Sequence, residues 1–139
     1  MKAVTIDAIG PVESGSTPVS LRELPIPEPG PGEVRIAVTH CGVCHTELDE
    51  IEGRSPPDSL PRVPGHEVVG HIDALGPSVT SRRIGERVGV GWFHSSCGTC
   101  AYCRSGRENL CSRFRATGRD ADGGYAEYLT IPQHSCFPI

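Results

Sequence analysis

The sequence predicts a mainly β fold, a small, partly open barrel or sandwich with short helices and a metal-binding lobe, on three observations. Val and Ile together outnumber Leu by 21 to 7, which favours the pleated, half-buried surfaces where β-branched side chains pack. The 17 Gly and 13 Pro cut the chain into short segments rich in turns. Seven Cys, four of them between Cys97 and Cys111, mark a segment organised by something other than apolar burial.

Taken in order, Lys2 to Ile6 reads as a short strand, and Pro25 to Gly32 as a turn leading into Glu33 to Val38. That last run alternates polar and apolar residues, the pattern of a strand with one buried face. Cys44 to Glu52 is the best short-helix candidate, and Glu67 to Leu75 reads as a strand weakened by Gly70. Gly85 to Val90 is a turn entering another strand, and Gly124 to Ile131 is the last strand. No repeat and no linker interrupts the chain, so residues 1–139 are read as one domain with a zinc-binding lobe at about 94–114. No G-x-G-x-x-G follows a strand, so a Rossmann dinucleotide-binding domain is expected to be absent from this chain.

Composition narrows the partners. Against 17 Asp+Glu stand 13 Lys+Arg, a net charge of −4, which excludes the basic footprint of a nucleic-acid binder. No apolar run approaches the ~20 residues of a membrane span. Met1 to Gly10 carries one Lys and an apolar stretch broken by Asp7, unlike a secretory leader, so a cytoplasmic, reducing setting is expected. In that setting dense Cys points to metal before disulfides.

Cys97, Cys100, Cys103 and Cys111 follow C-x2-C-x2-C-x7-C. Four thiolates so spaced can close a tetrahedron around Zn²⁺, leaving no position for water or substrate, so the expected role is structural. An iron–sulfur cluster, disulfides and a free-thiol switch are the other readings. The seven-residue last gap, followed by Ser112, departs from ferredoxin-like spacing. Arg104, Arg107, Arg113, Arg115 and Arg119 against Glu108 make the segment locally basic, which offsets the net negative charge of a four-thiolate zinc.

A second constellation comprises His40-Cys41-Gly42-Val43-Cys44-His45-Thr46-Glu47 and Val63-Pro64-Gly65-His66-Glu67. Cys and His from separate loops are the ligand types that hold zinc with a position left open, the condition for Lewis-acid chemistry. Taken alone, Cys41 and Cys44 read equally as small buried residues and His66 as a core histidine.

Gly65-His66-Glu67 with Gly70, Gly76 and Val79 reproduces G-H-E-x2-G-x5-G-x2-V, and CGVCHT, VPGHE, GERVGV, the four-cysteine lobe and DGGYAEY occur in the same order as in zinc-dependent alcohol dehydrogenases. The chain resembles the N-terminal GroES-like catalytic domain of that medium-chain family over essentially its whole length. The resemblance implies a partly open GroES-like β-barrel and interconversion of alcohols and aldehydes or ketones. The hydride would pass to or from NAD(P), which belongs to the full-length enzyme only. It implies Cys44 and His66 as catalytic zinc ligands, with Glu67 beside or transiently on the metal. Thr46 is implied as the hydroxyl taking the alcohol proton, His45 as a contact to the cofactor pyrophosphate, and Trp92 as a wall of the substrate pocket. Glu47, where relatives usually carry Asp, is implied as a partner behind a ligand.

Two departures shape the expectation. Asp49 stands where relatives often have the His that ends the proton relay, and with Thr46 and Glu67 it is implied as catalytic, since a carboxylate can still pass protons although it titrates much lower. The family's third zinc ligand, commonly Cys, and its Rossmann half lie past the point matching Phe137-Pro138-Ile139, with Cys136 at a strand-like position before that ligand. The chain is therefore expected to hold one zinc tightly and a second partially, and to be inactive alone. The substrate would be a small alcohol or aldehyde, and the oligomeric state is left open. Two further readings are a stand-alone zinc-stabilised interaction module and a thiol or zinc redox sensor using Cys41 and Cys136.

Overall fold

A computed structural model describes residues 1–139. Its centre is a five-stranded antiparallel sheet, curled into a half-barrel and ordered β8-β3-β4-β5-β9. The strands are β3 Glu33–Cys41, β4 Val68–Leu75, β5 Arg87–Val90, β8 Tyr128–Pro132 and β9 Cys136–Pro138. Both edge strands carry a proline, Pro132 and Pro138, a residue tolerated where a ladder hydrogen bond is dispensable. β1 Lys2–Ile6 and β2 Val19–Glu23 form a separate ribbon, and β6 Phe93–Ser95 pairs with β7 Arg115–Ala116. α1 spans His45–Glu52 and α2 spans Ala101–Arg104.

The core lies on one face of the central sheet, where alternation sends Val34, Ile36, Val68, Ile72, Val88, Val90, Leu129 and Ile131 inward. Cys136 joins them, fully buried and paired with Val90 across β5 and β9. Its environment is that of a small apolar residue, and its thiol is pushed up by burial.

Gly70 does not weaken β4, which runs unbroken through it for eight residues. It sits opposite Val38 between two irregularities of the β3–β4 register, at Arg35/Ile36 and Val38/His40. A Cβ there would lie 2.3 Å from the Ala37 carbonyl oxygen and 2.6 Å from Ile36 Cγ2. The glycine permits a close approach of two backbones at the bend of the sheet.

The last strand begins later than the expected Gly124, because Gly124 and Tyr125 are drawn elsewhere. Their amides donate to the carbonyls of Gly65 and Pro64, at 2.8 and 3.0 Å. Ala126 bridges to Ala3 of β1. These bonds pin the 63–67 segment beneath the DGGY turn and fix where His66 emerges. Gly123 is needed in that contact, since a Cβ there would lie 2.2 Å from the Gly65 carbonyl oxygen. No helix is long and apolar enough to cross a membrane.

Candidate metal centres

Cys97 to Leu110 contains no buried residue, and Cys111 is the first of this lobe to be enclosed. A turn, the four-residue α2 and a 3-10 turn at Glu108–Leu110 bring the four thiols together, all sulfur atoms within 4.8 Å of one another. Cys103 Sγ lies 3.8 Å from Cys97 Sγ and 3.5 Å from Cys100 Sγ. A tetrahedral zinc with Zn–S bonds of about 2.3 Å separates its sulfurs by about 3.8 Å, so the residues present fit the ion. The surroundings favour the thiolate at Cys97 and Cys103, while Cys100 is pushed the other way. Hydrogen bonds from Thr99, then from the Cys100 amide, pull Cys97 down to about 5, and the Arg113 amide donates to Cys111 Sγ at 3.3 Å. None of the seven cysteines forms a disulfide, so that reading of the cluster is not supported.

The second group assembles from two elements. β3 ends at Cys41, and Gly42 and Val43 lead to Cys44, which caps the N-terminus of α1. The 63–67 segment enters β4 at Val68, with His66 buried and Glu67 exposed. One potential ligand atom from each of Cys44, His66 and Glu67 lies within 4.8 Å of the others. Gly42 gives Glu67 its place, since a Cβ at Gly42 would fall 2.1 Å from Glu67 Oε2.

Behind this trio lies Glu47, only 5% exposed. Its Oε2 accepts the Cys44 amide at 2.8 Å, and its Oε1 lies 3.0 Å from His66 Nδ1. One carboxylate thus caps the helix start and lies against the His66 ring, although Oε1 and Nδ1 are not aligned as a hydrogen bond and both are left without a partner. The donors fit a zinc ion with a position left open: one thiol, one imidazole and one carboxylate, with an outer carboxylate beside the imidazole.

The other residues singled out in the sequence divide into those beside this site and those apart from it. Thr46 Oγ1 is 3.5 Å from Cys44 Sγ, within the site. Trp92 packs edge-on against His66, ring centroids 4.9 Å apart. His45 points outward, 73% exposed, with Nδ1 3.4 Å from Asp49 Oδ1. The Asp49 carboxyl is held below the usual range, first by its hydrogen bond from Arg54, so it remains an anion at neutral pH and a poor proton carrier. Cys41 and Cys136 are not among the converging donors. Cys41 is half-buried at the margin of the core.

Two neighbouring residues escaped the sequence reading. Glu50, one turn after Glu47, is fully buried, and neither carboxylate oxygen has a hydrogen-bond partner. Its spacing from Glu47 was a usable signal, because residues three apart share a helix face. Arg119 entered that reading only as part of a basic segment, yet its guanidinium lies over Trp92, 5.3 Å from the ring centroid.

Comparison with known proteins bears on both groups. Residues 30–139 match the alcohol dehydrogenase GroES-like domain. An alcohol dehydrogenase of Geobacillus stearothermophilus is 47% identical over 118 residues, covering 84% of this chain and 35% of its own length. The probable alcohol dehydrogenase AdhA of Mycobacterium tuberculosis is 44% identical over 137 residues, 95% of this chain and 39% of its own. Among solved structures, an NAD-dependent alcohol dehydrogenase superposes with a TM-score of 0.90 at 35% identity, covering 99% of this chain and 39% of that one. A cobalt- and zinc-bound thermostable alcohol dehydrogenase from Pyrobaculum aerophilum gives 0.88 at 31% identity, covering 99% and 41%. The chain spans little more than a third of these relatives. With the half-barrel sheet, the four-thiol lobe and the Cys44–His66 pair all in place, the matched span makes this chain a member of the alcohol dehydrogenase GroES-like domain family.

Proposed function

We propose that residues 1–139 form the metal-holding, substrate-binding domain of an enzyme that interconverts small alcohols with aldehydes or ketones, using a nicotinamide dinucleotide as hydride carrier. The observation that carries this reading is the convergence of Cys44, His66 and Glu67 within 4.8 Å, beside a separate four-thiol group. A saturated group can only hold structure, whereas a three-donor group leaves room for a substrate oxygen. Zinc bound there would polarise the oxygen of an alcohol or carbonyl and so favour hydride exchange with the dinucleotide.

The chain's own residues then have distinct tasks. Cys44 and His66 would hold the ion, and Glu67, exposed, offers a third donor. Glu47 Oε1, 3.0 Å from His66 Nδ1 but not aligned with it, would turn into a hydrogen bond with that nitrogen once the ring is drawn onto a metal. Thr46, whose hydroxyl both donates and accepts, would accept the proton of the incoming alcohol while passing its own hydroxyl proton to solvent, with the reverse exchange in the reverse direction. Trp92, edge-on against His66, would wall one side of the space a substrate takes beside the metal. His45, exposed at the head of α1, is positioned to meet an anionic cofactor group. Asp49, paired with Arg54 and His45, contributes through charge and not as a proton carrier. Seven free cysteines are in keeping with a cytoplasmic setting. The interaction-module and redox-sensor readings are not favoured, since the relatives compared are dehydrogenases.

The test is alcohol-dependent reduction of NAD or NADP by these residues joined to a nucleotide-binding half of the family, with the 139-residue chain alone as reference. The joined protein is expected to turn over and the lone chain to be inactive. Cys44→Ser or His66→Ala should lower kcat/KM on the order of 10³-fold, the size expected when Lewis-acid stabilisation worth several kcal/mol is lost. Undiminished turnover in both variants would overturn the assignment.

A further inference from the structure

We propose that Arg119 is a positioning residue for the substrate pocket, holding the Trp92 ring against His66 and so setting which alcohols the pocket admits. The inference rests on the reading of Trp92 as a pocket wall. It starts from a stack of three side chains from three segments. His66 meets the Trp92 ring edge-on at 4.9 Å, with an interplanar angle of 77°. The Arg119 guanidinium carbon lies 5.3 Å from the centroid of the same ring. Trp92 is only partly buried, so contact on one side alone would leave its ring free to change rotamer. A cation over the indole removes that freedom, because the ring's negative face attracts it.

Arg119 is itself held on two sides, which makes it a clamp and not a mobile surface arginine. Its Nε and Nη2 donate to the two oxygens of Asp120 at 2.8 and 2.9 Å, a two-point fork. Asp120 is fixed in turn by the Ala116 amide, which donates to its Oδ2 at 2.7 Å. The remaining Nη1 donates to Ser55 Oγ at 3.3 Å, reaching the loop that follows α1. The Thr117 amide donates to the Trp92 carbonyl at 2.9 Å, so the backbones of Trp92 and of the Arg119 turn are also tied. The wall of the pocket is thereby linked to the helix that carries Thr46 and Glu47.

Lysine would keep the charge but lose the fork, and methionine would keep much of the length but lose both. Trp92 is the only tryptophan in the chain, so its fluorescence reports on this ring without any turnover. In the zinc-loaded chain, Arg119→Met should shift the emission to the red and raise acrylamide quenching. Ser55→Ala, which removes one tether, should move both in the same direction by less, and Arg119→Lys should fall between wild type and Arg119→Met. Circular dichroism and the thermal melt identify any variant that has not folded.

In the joined protein, Arg119→Met should raise KM for a small primary alcohol and reduce its preference over a bulkier one by roughly three- to tenfold, with kcat little changed, as loss of one partly buried cation–π contact implies. A folded Arg119→Met with unaltered emission, quenching and substrate preference would overturn the proposal. Altered emission and quenching in a protein that oxidises no alcohol would instead leave Arg119's hold on Trp92 standing and overturn the enzyme reading and, with it, the role in substrate choice. Full turnover with altered emission but unaltered preference would confine Arg119 to ring packing and refute its role in substrate choice.

Discussion

Chelating zinc from the four-thiol lobe, or replacing Cys103 by Ser, is expected to unfold residues 94–114 while the central sheet persists. The reason is the lobe's lack of a core: from Cys97 to Leu110 nothing is buried, and α2 is a single turn with exposed flanks. Helices this short do not form on their own propensity. What holds the segment is the convergence of four sulfurs within 4.8 Å, and structural zinc contributes on the order of 10 kcal/mol to folding in comparable sites. Hydrogen exchange would show the amides of this lobe losing protection on chelation. The core strands β3, β4 and β5, whose buried residues come from the sheet itself, should retain theirs. Equal loss of protection across the whole chain would contradict a locally organised lobe.

The second large effect concerns Glu50. Burial, reinforced by the charge of Glu47 on the same helix face and of Asp120, pushes its carboxyl up to about 7 against an ordinary 4.5, although Arg119 and Arg62 pull the other way. Neither cation cancels the shift or hydrogen-bonds Glu50: Arg119 is engaged with Asp120, and the two Nη atoms of Arg62 with Asp58 and Asp122. The folded state therefore prefers the neutral acid. Stability from this group is fully present below about pH 4.5, where folded and unfolded chains are both protonated, and is lost as pH rises through about 7. The difference corresponds to about 3 kcal/mol at pH 8. Glu50→Gln, neutral throughout, should equal wild type in stability near pH 4.5 and exceed it by about 3 kcal/mol at pH 8, as read by urea unfolding of the zinc-loaded chain. Parallel pH profiles for the two proteins would show that Glu50 is solvated or paired.

What could be read from the sequence follows the range of the interactions. β1, β3, β4, β5 and α1 were legible because runs of alternating or strand-forming residues, and one short helical stretch at Cys44 to Glu52, are local patterns. The structure adds what ends α1: Gly53, just past it, takes a left-handed conformation at φ 83°. β2 was not legible. Its residues are mostly exposed, and it exists only through pairing with β1, Lys2 opposite Glu23 to Ile6 opposite Val19. β9 is three residues long and is a strand because β5 offers an edge. Gly70 misled for a related reason, since the backbone it accommodates belongs to β3, far away in sequence.

The candidate site divides in the same way. Thiols at metal-ligand spacing can be seen in a string of letters, and so can a histidine in a familiar motif. The contacts that orient them cannot. Glu47 reaching from Cys44 to His66, and Arg119 lying across Trp92, join segments whose proximity is created by the sheet. A buried glutamate at position 50 conflicts with simple helix patterning, and such local conflicts concentrate near functional sites.

One short chain holding a closed metal site and an open one should bind metal ions in two distinguishable ways. Cobalt titration of the zinc-free chain tests this most directly, comparing wild type with Cys103→Ser and with a Cys44→Ser/His66→Ala double variant. Two equivalents are expected in the wild type, one bound tightly and one weakly. The double variant should lose only the weak one, whose absorption bands respond to added imidazole, and Cys103→Ser should lose the tight one, whose bands do not. A single equivalent, unaffected by loss of Cys44 and His66 and unresponsive to imidazole, would contradict the account.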